Sequence, residues 1–178
     1  MVQLIEKNYF QLFTLPEDFC TKTETLGQKY RDLQASNHPD RYAQGSEQEK
    51  LAAVQLASYI NDAYSTLKSP LKRAAYLLQL KGINTEQVSQ HELGMDLLME
   101  QMQLRETLED FAVAESSLGP LDGLRDNVRA KLSGKEQVFG ARFEQEEFSQ
   151  AKACFHEMQF LHKLLSEINT LEERILDY

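Results

Sequence analysis

Cysteine is scarce in this chain: two residues among 178, Cys20 and Cys154, far apart and outside any CxxC context. That argues against a disulfide-stapled secreted domain and a thiolate zinc site, and it points to a reducing compartment. No apolar run approaches the roughly 20 residues of a membrane-spanning helix. The first ten residues carry neither a signal-peptide core nor an Arg- and Ser-rich transit pattern. No glycine-rich phosphate loop occurs, and no strand-period alternation of any length. Positive charge is lacking in the second half. From Gly82 to Tyr178 nine Lys/Arg stand against nineteen Asp/Glu, whereas Met1 to Lys81 holds ten against nine. An acidic half of this kind argues against a nucleic-acid partner, which needs a cationic face, and the asymmetry implies that the two halves meet different partners. These absences set the expectation of a cytoplasmic, all-α chain that needs no cofactor, binds no metal and is monomeric when free.

What is present is helical periodicity almost throughout. Tyr9-Phe10 and Leu12-Phe13 form a short apolar turn closed by Pro16. Asp18 or Thr21 can cap the next helix, whose stripe is Leu26, Tyr30 and Leu33. His38-Pro39-Asp40 stops it: proline fixes its own φ, removes a donor and pushes the residue before it out of helical space. The stop leaves an imidazole and a carboxylate flanking a rigid, exposed corner. After a polar loop, Ser46-Glu47-Gln48-Glu49 fits a capping box. The helix it opens carries Leu51, Val54, Ala57, Ile60, Tyr64 and Leu67. Ser69-Pro70 opens a further helix that Gly82 ends.

This order of elements, with His38-Pro39-Asp40 on one helix end and Ile60-Asn61-Asp62-Ala63-Tyr64 on the antiparallel partner, resembles a J-domain over residues 1–81. The sequence then reads as a linker over 82–89 and an antiparallel three-helix bundle over 90–178. The first bundle helix spans roughly Gln90 to Ser116, with Leu97, Leu104, Leu108 and Phe111 as its inward stripe. The second starts near Leu121 and, because Phe139 is in phase with Val128, continues to Phe143 through Gly134 and Gly140. The third begins near Phe148, with Phe155, Met158, Leu165 and Ile168 inward.

At 100° per residue, Met95, Leu98, Met99 and Met102 fall between about 100° and 200° from Leu97. They form a second, Met-rich apolar face that the bundle does not need, continued by Glu106, Glu109 and Asp110. Phe160, Leu164 and Leu171 suggest a similar second face on the third helix. An apolar patch rimmed by charge marks an interaction surface, and methionine adapts to irregular partners.

Leu98-Met99-Glu100-Gln101-Met102 with Leu104-Arg105-Glu106, Pro70–Leu78, Phe160–Leu164 and Leu171–Tyr178 resemble the HscB family of J-domain co-chaperones of iron–sulfur cluster assembly. The resemblance implies that the bundle binds the cluster scaffold IscU through Leu98, Met99, Met102, Glu106, Asp110 and Phe160. It also implies that the J-domain engages the DnaK-type chaperone HscA and stimulates its ATPase. Met102 and Gln103 stand where Leu and Glu are common in the family, and Asp110 replaces a Glu.

The corner is read as a docking element and not a catalytic dyad, because acid–base chemistry needs a water-excluding pocket. Pro39 pre-organises His38 and Asp40, while Lys29, Arg31 and Arg41, with Lys22, are expected to steer an acidic surface of the ATPase. His91, His156 and His162 read as surface residues, Cys20 and Cys154 as packing thiols. A self-associating helical structural protein and a J-domain co-chaperone of a different client are the alternatives.

Overall fold

The computed structural model describes residues 2–86, 95–113 and 118–176. Among the described residues the chain is all helical: eight α-helices and one 3₁₀ turn, divided into two compact units, Met1–Lys81 and Gly82–Tyr178.

In the first unit α1 (Val2–Ile5) and α2 (Tyr9–Leu12) precede a helical hairpin of α3 (Thr23–Asn37) and α4 (Glu47–Lys68), and α5 (Pro70–Leu80) completes it. Asn8 and Gln11 close a capping box on α2, and Phe10, Leu12 and Phe13 behind it are buried. The start of α3 differs from expectation. Neither Asp18 nor Thr21 caps it. The Asp18 carboxylate accepts from the Cys20 amide and the Thr21 hydroxyl donates to the Asp18 carbonyl, a local turn that uses both side chains before the helix begins at Thr23. The Ser46–Glu49 box on α4 is present in full, and its two Ser46 hydrogen bonds hold the Glu49 carboxyl below its ordinary value. Gly82, at φ +75°, takes the left-handed position that ends α5.

The hairpin is held by the residues of the Ile60–Tyr64 stretch. Ile60 and Ala63 are buried. Asn61 Oδ1 accepts from Tyr30 Oη at 2.9 Å and from Gln34 Nε2 at 3.0 Å. The Tyr64 ring stacks on Tyr30 with centroids 4.0 Å apart. The phase expected for α4 is wrong in its first half. Leu51 and Val54 are exposed, and the buried stripe is Ala53, Leu56, Ile60, Ala63 and Leu67.

Arg73 of α5 is buried. Its guanidinium donates to the Leu67 carbonyl at 2.6 Å and lies 4.9 Å from the centre of the Phe19 ring. It thereby satisfies a carbonyl that the end of α4 leaves without an intrahelical partner. A charged hydrogen bond of this kind contributes about 1.5–3 kcal/mol, and the ring contact adds roughly 0.5–2 kcal/mol. Arg73→Ala is therefore expected to destabilise the first unit by about 2–5 kcal/mol, read as a lowered urea midpoint. A change below about 0.5 kcal/mol, the scatter of ordinary surface substitutions, would contradict this account.

The second unit is a bundle of α6 (Met95–Val113), α7 (Leu118–Glu144) and α8 (Phe148–Leu176). α7 and α8 form a long antiparallel hairpin. It is turned at Glu146, whose φ is +59°, and packed through Val128, Phe139, Phe143, Phe155, Met158 and Ile168. Val128 and Phe139 share one face as their spacing predicts, and α7 runs unbroken through Gly134 and Gly140. Arg125–Glu172, Lys135–Glu157 and Arg142–Glu147 ion pairs staple the hairpin along its length. α6 rests on it through Leu104 and Leu108.

On α8 Leu164 is buried and belongs to the core, not to a second face. The helix is packed by α7 on one side and α6 on the other, so its buried arc is wider than one stripe. The Cys154 thiol donates to the Lys135 carbonyl at 3.1 Å, and burial pushes its pKa up to about 11, which makes it an unreactive packing group. Cys20, by contrast, is exposed.

His156 is buried, not on the surface, with Nδ1 3.0 Å from Gln159 Oε1. His162 is half-buried, and burial holds its pKa below the ordinary imidazole value. His91 lies outside the described residues.

Candidate functional site

Two surfaces carry the residues singled out from the sequence, one in each unit. In the first, α3 ends at Asn37 and His38 takes an extended conformation, φ −61° and ψ 133°, as proline at the next position demands. Pro39 then opens a 3₁₀ turn, Pro39–Tyr42, whose N-cap is His38. The Asp40 amide donates to His38 Nδ1 at 3.3 Å and the Arg41 amide to the His38 carbonyl at 3.0 Å. An Nδ1 that accepts places the imidazole proton on Nε2. His38 and Asp40 side chains are 58% and 90% exposed, with Nδ1 and Oδ2 3.5 Å apart. The corner thus offers a donor and a carboxylate side by side on a backbone that two hydrogen bonds and a proline hold fixed. Among the described residues both side chains face solvent and not an enclosed pocket.

The basic residues are not one patch. Arg41 turns back and donates to the Ala35 carbonyl at 3.2 Å, closing the end of α3. Lys29 is half-buried and donates to the Thr14 carbonyl at 2.6 Å. Arg31 is exposed and donates to Gln28. Two residues apart on a helix, Lys29 and Arg31 project about 160° apart, one on each flank of the buried Leu26–Tyr30 side. Lys22 is exposed and precedes the helix as its N-cap residue, with an extended backbone.

In the second unit, the described side chains of the α6 face behave as one surface. Leu104 and Leu108 point into the bundle, while Leu98, Met99 and Met102 are 37%, 57% and 71% exposed. Glu106, Glu109 and Asp110 continue the exposed side along the helix. The side chains of Met95, Leu97 and Phe111 lie outside the described residues. Five of the six predicted scaffold-binding residues therefore share the outward side of α6.

The sixth, Phe160, is half-buried on α8 and lines a cavity of about 380 Å³ with Leu104, Val138 and Leu161. An Arg105–Glu167 ion pair at 3.8 Å sets the flank of α6 that also carries Leu98 toward α8. Val138, exposed and apolar, was not singled out from the sequence. Its neighbour Phe139 lies on the core stripe, so the wheel alone could have placed Val138 outside.

Among the described residues no group of three or more His, Cys, Asp or Glu could hold a metal ion, and no helix is long and apolar enough to cross a membrane.

An exposed His-Pro-Asp corner on a braced helical hairpin, on a chain that also carries a helical bundle, defines a J-domain co-chaperone. Comparison with known proteins agrees with the whole architecture. The family model described as the HscB C-terminal oligomerisation domain matches residues 93–169. The solved structure of chaperone HscB from Vibrio cholerae is 37% identical, with 95% of this chain and 99% of that one aligned at a TM-score of 0.84. The crystal structure of the human co-chaperone protein HscB is 30% identical over 93% of this chain and 82% of that one, also at 0.84. The chain belongs to the HscB family of co-chaperones, which acts in iron–sulfur cluster assembly.

Proposed function

We propose that this chain is an adaptor. The outward face of α6, with Phe160, holds the scaffold IscU, while the His38-Pro39-Asp40 corner docks on the ATP-loaded DnaK-type chaperone HscA and stimulates its ATPase. ATP is hydrolysed on the partner. The observation that carries the reading is the exposure of Leu98, Met99 and Met102 on the side of α6 opposite Leu104 and Leu108. A soluble helix gains nothing for its own fold from such a face, and a rim of Glu106, Glu109 and Asp110 adds orientation to an apolar contact. Asp40 is the acceptor for a guanidinium of HscA and His38 Nε2 the accompanying donor. With the corner already rigid, docking orders little extra chain. Calorimetric titration with purified IscU tests the first half of this reading: a saturable one-to-one isotherm is expected, and no heat above dilution would contradict it.

A second reading has support in the family description itself, which calls the C-terminal region an oligomerisation domain. The same Met-rich face could pair with another copy of the chain. Sedimentation velocity at rising concentration separates the two readings. The adaptor reading predicts a monomer that gains mass only when IscU is added; a stable dimer without affinity for IscU would favour self-association.

A further inference from the structure

We infer that the cavity between α6, α7 and α8 is a pocket for one apolar side chain of the scaffold protein, and that Gly134 and Val138 of α7 belong to the binding site. This rests on the reading of the α6 face as the scaffold surface. Phe160 is the residue common to both: a member of the proposed binding set and a wall of the cavity. A partner that covers Leu98 and reaches Phe160 therefore arrives at the cavity mouth.

The lining selects the occupant. Leu104, Val138, Phe160 and Leu161 supply apolar wall. The charged side chains of the lining are paired with one another, Lys131 with Glu100 and Lys135 with Glu157, which favours a neutral, apolar group over an ion. Gly134 keeps the space open. It lies in the interior of a 27-residue helix, where glycine is less favourable than alanine. A Cβ built there meets nothing within 4 Å. No close approach within the chain itself accounts for glycine at this position.

The test fills the space from inside. Gly134→Leu places a side chain in the cavity without touching Leu98, Met99 or Met102. Val138→Gln makes one wall polar. With IscU as the titrant, Gly134→Leu is expected to weaken binding at least tenfold and Val138→Gln several-fold. Circular dichroism and a thermal melt establish that each variant is folded. If Gly134→Leu does not fold, Val138→Gln decides the matter alone. Wild-type affinity in the folded Gly134→Leu or Val138→Gln protein, alongside weakened binding by Leu98→Ala, overturns the pocket and leaves the α6 face standing. Absence of IscU binding by the wild-type chain overturns both.

Discussion

His38→Gln is expected to abolish stimulation of the HscA ATPase while leaving IscU affinity unchanged. The imidazole contributes little to the fold. It is exposed, and its side-chain partner is the Asp40 amide at 3.3 Å. The Arg41 amide bonds to the His38 carbonyl and the Pro39 constraint are backbone features that survive the change. The stability cost should stay below about 1 kcal/mol, the net value of one solvent-accessible hydrogen bond. Function depends on more than that bond. A flexible glutamine carries an amide in place of the ring, with one more rotatable bond, so the donor is no longer fixed beside the Asp40 carboxylate. Steady-state ATP turnover by HscA at saturating co-chaperone measures the effect, with the thermal melt as control. Stimulation that survives in a folded His38→Gln protein would remove the corner from the docking role.

The reciprocal change acts on the other surface. Truncating Leu98, Met99 and Phe160 together to alanine should weaken IscU binding by about 10²–10⁴-fold, because anchor residues at an interface cost roughly 1–2 kcal/mol each and about 1.4 kcal/mol corresponds to a factor of ten. J-domain stimulation of HscA in the absence of scaffold should be unaltered. Leu98 and Met99 are exposed, so their loss leaves no cavity in the bundle. Phe160 is half-buried, and its share is checked by the melting temperature of the single variant. Unchanged affinity in the folded triple variant would mean that IscU, if bound, sits elsewhere.

The strongest sequence signals were those in which one residue type has few conformational options. Pro39 dictates the end of α3, and the Ser46–Glu49 box opens α4. The eleven-residue step from Val128 to Phe139 carries α7 across Gly134 and up to Gly140. What escaped were features set by neighbours. On α4 a wheel drawn through the largest side chains selects Leu51 and Val54, but the packed stripe begins at Ala53, a small residue that lets helices approach closely. Leu164 joins the core because two helices, not one, cover α8. His156 is polar by type and buried by position, with Gln159 one turn on to accept it. Lys29 and Arg41 look like free cations in the sequence, yet each donates to a backbone carbonyl within its own unit. The outward side of α6 was legible because its alternation with Leu104 and Leu108 is regular. The cavity beside Phe160 was not, since it forms only where three helices meet.

The most direct measurement is the ATPase rate of HscA with this chain alone, with IscU alone, and with both. An adaptor that delivers scaffold and J-domain together predicts a combined rate well above the sum of the separate stimulations, and a fall to that sum when Leu98, Met99 and Phe160 are replaced by alanine. Rates that simply add for the wild-type chain would contradict the account.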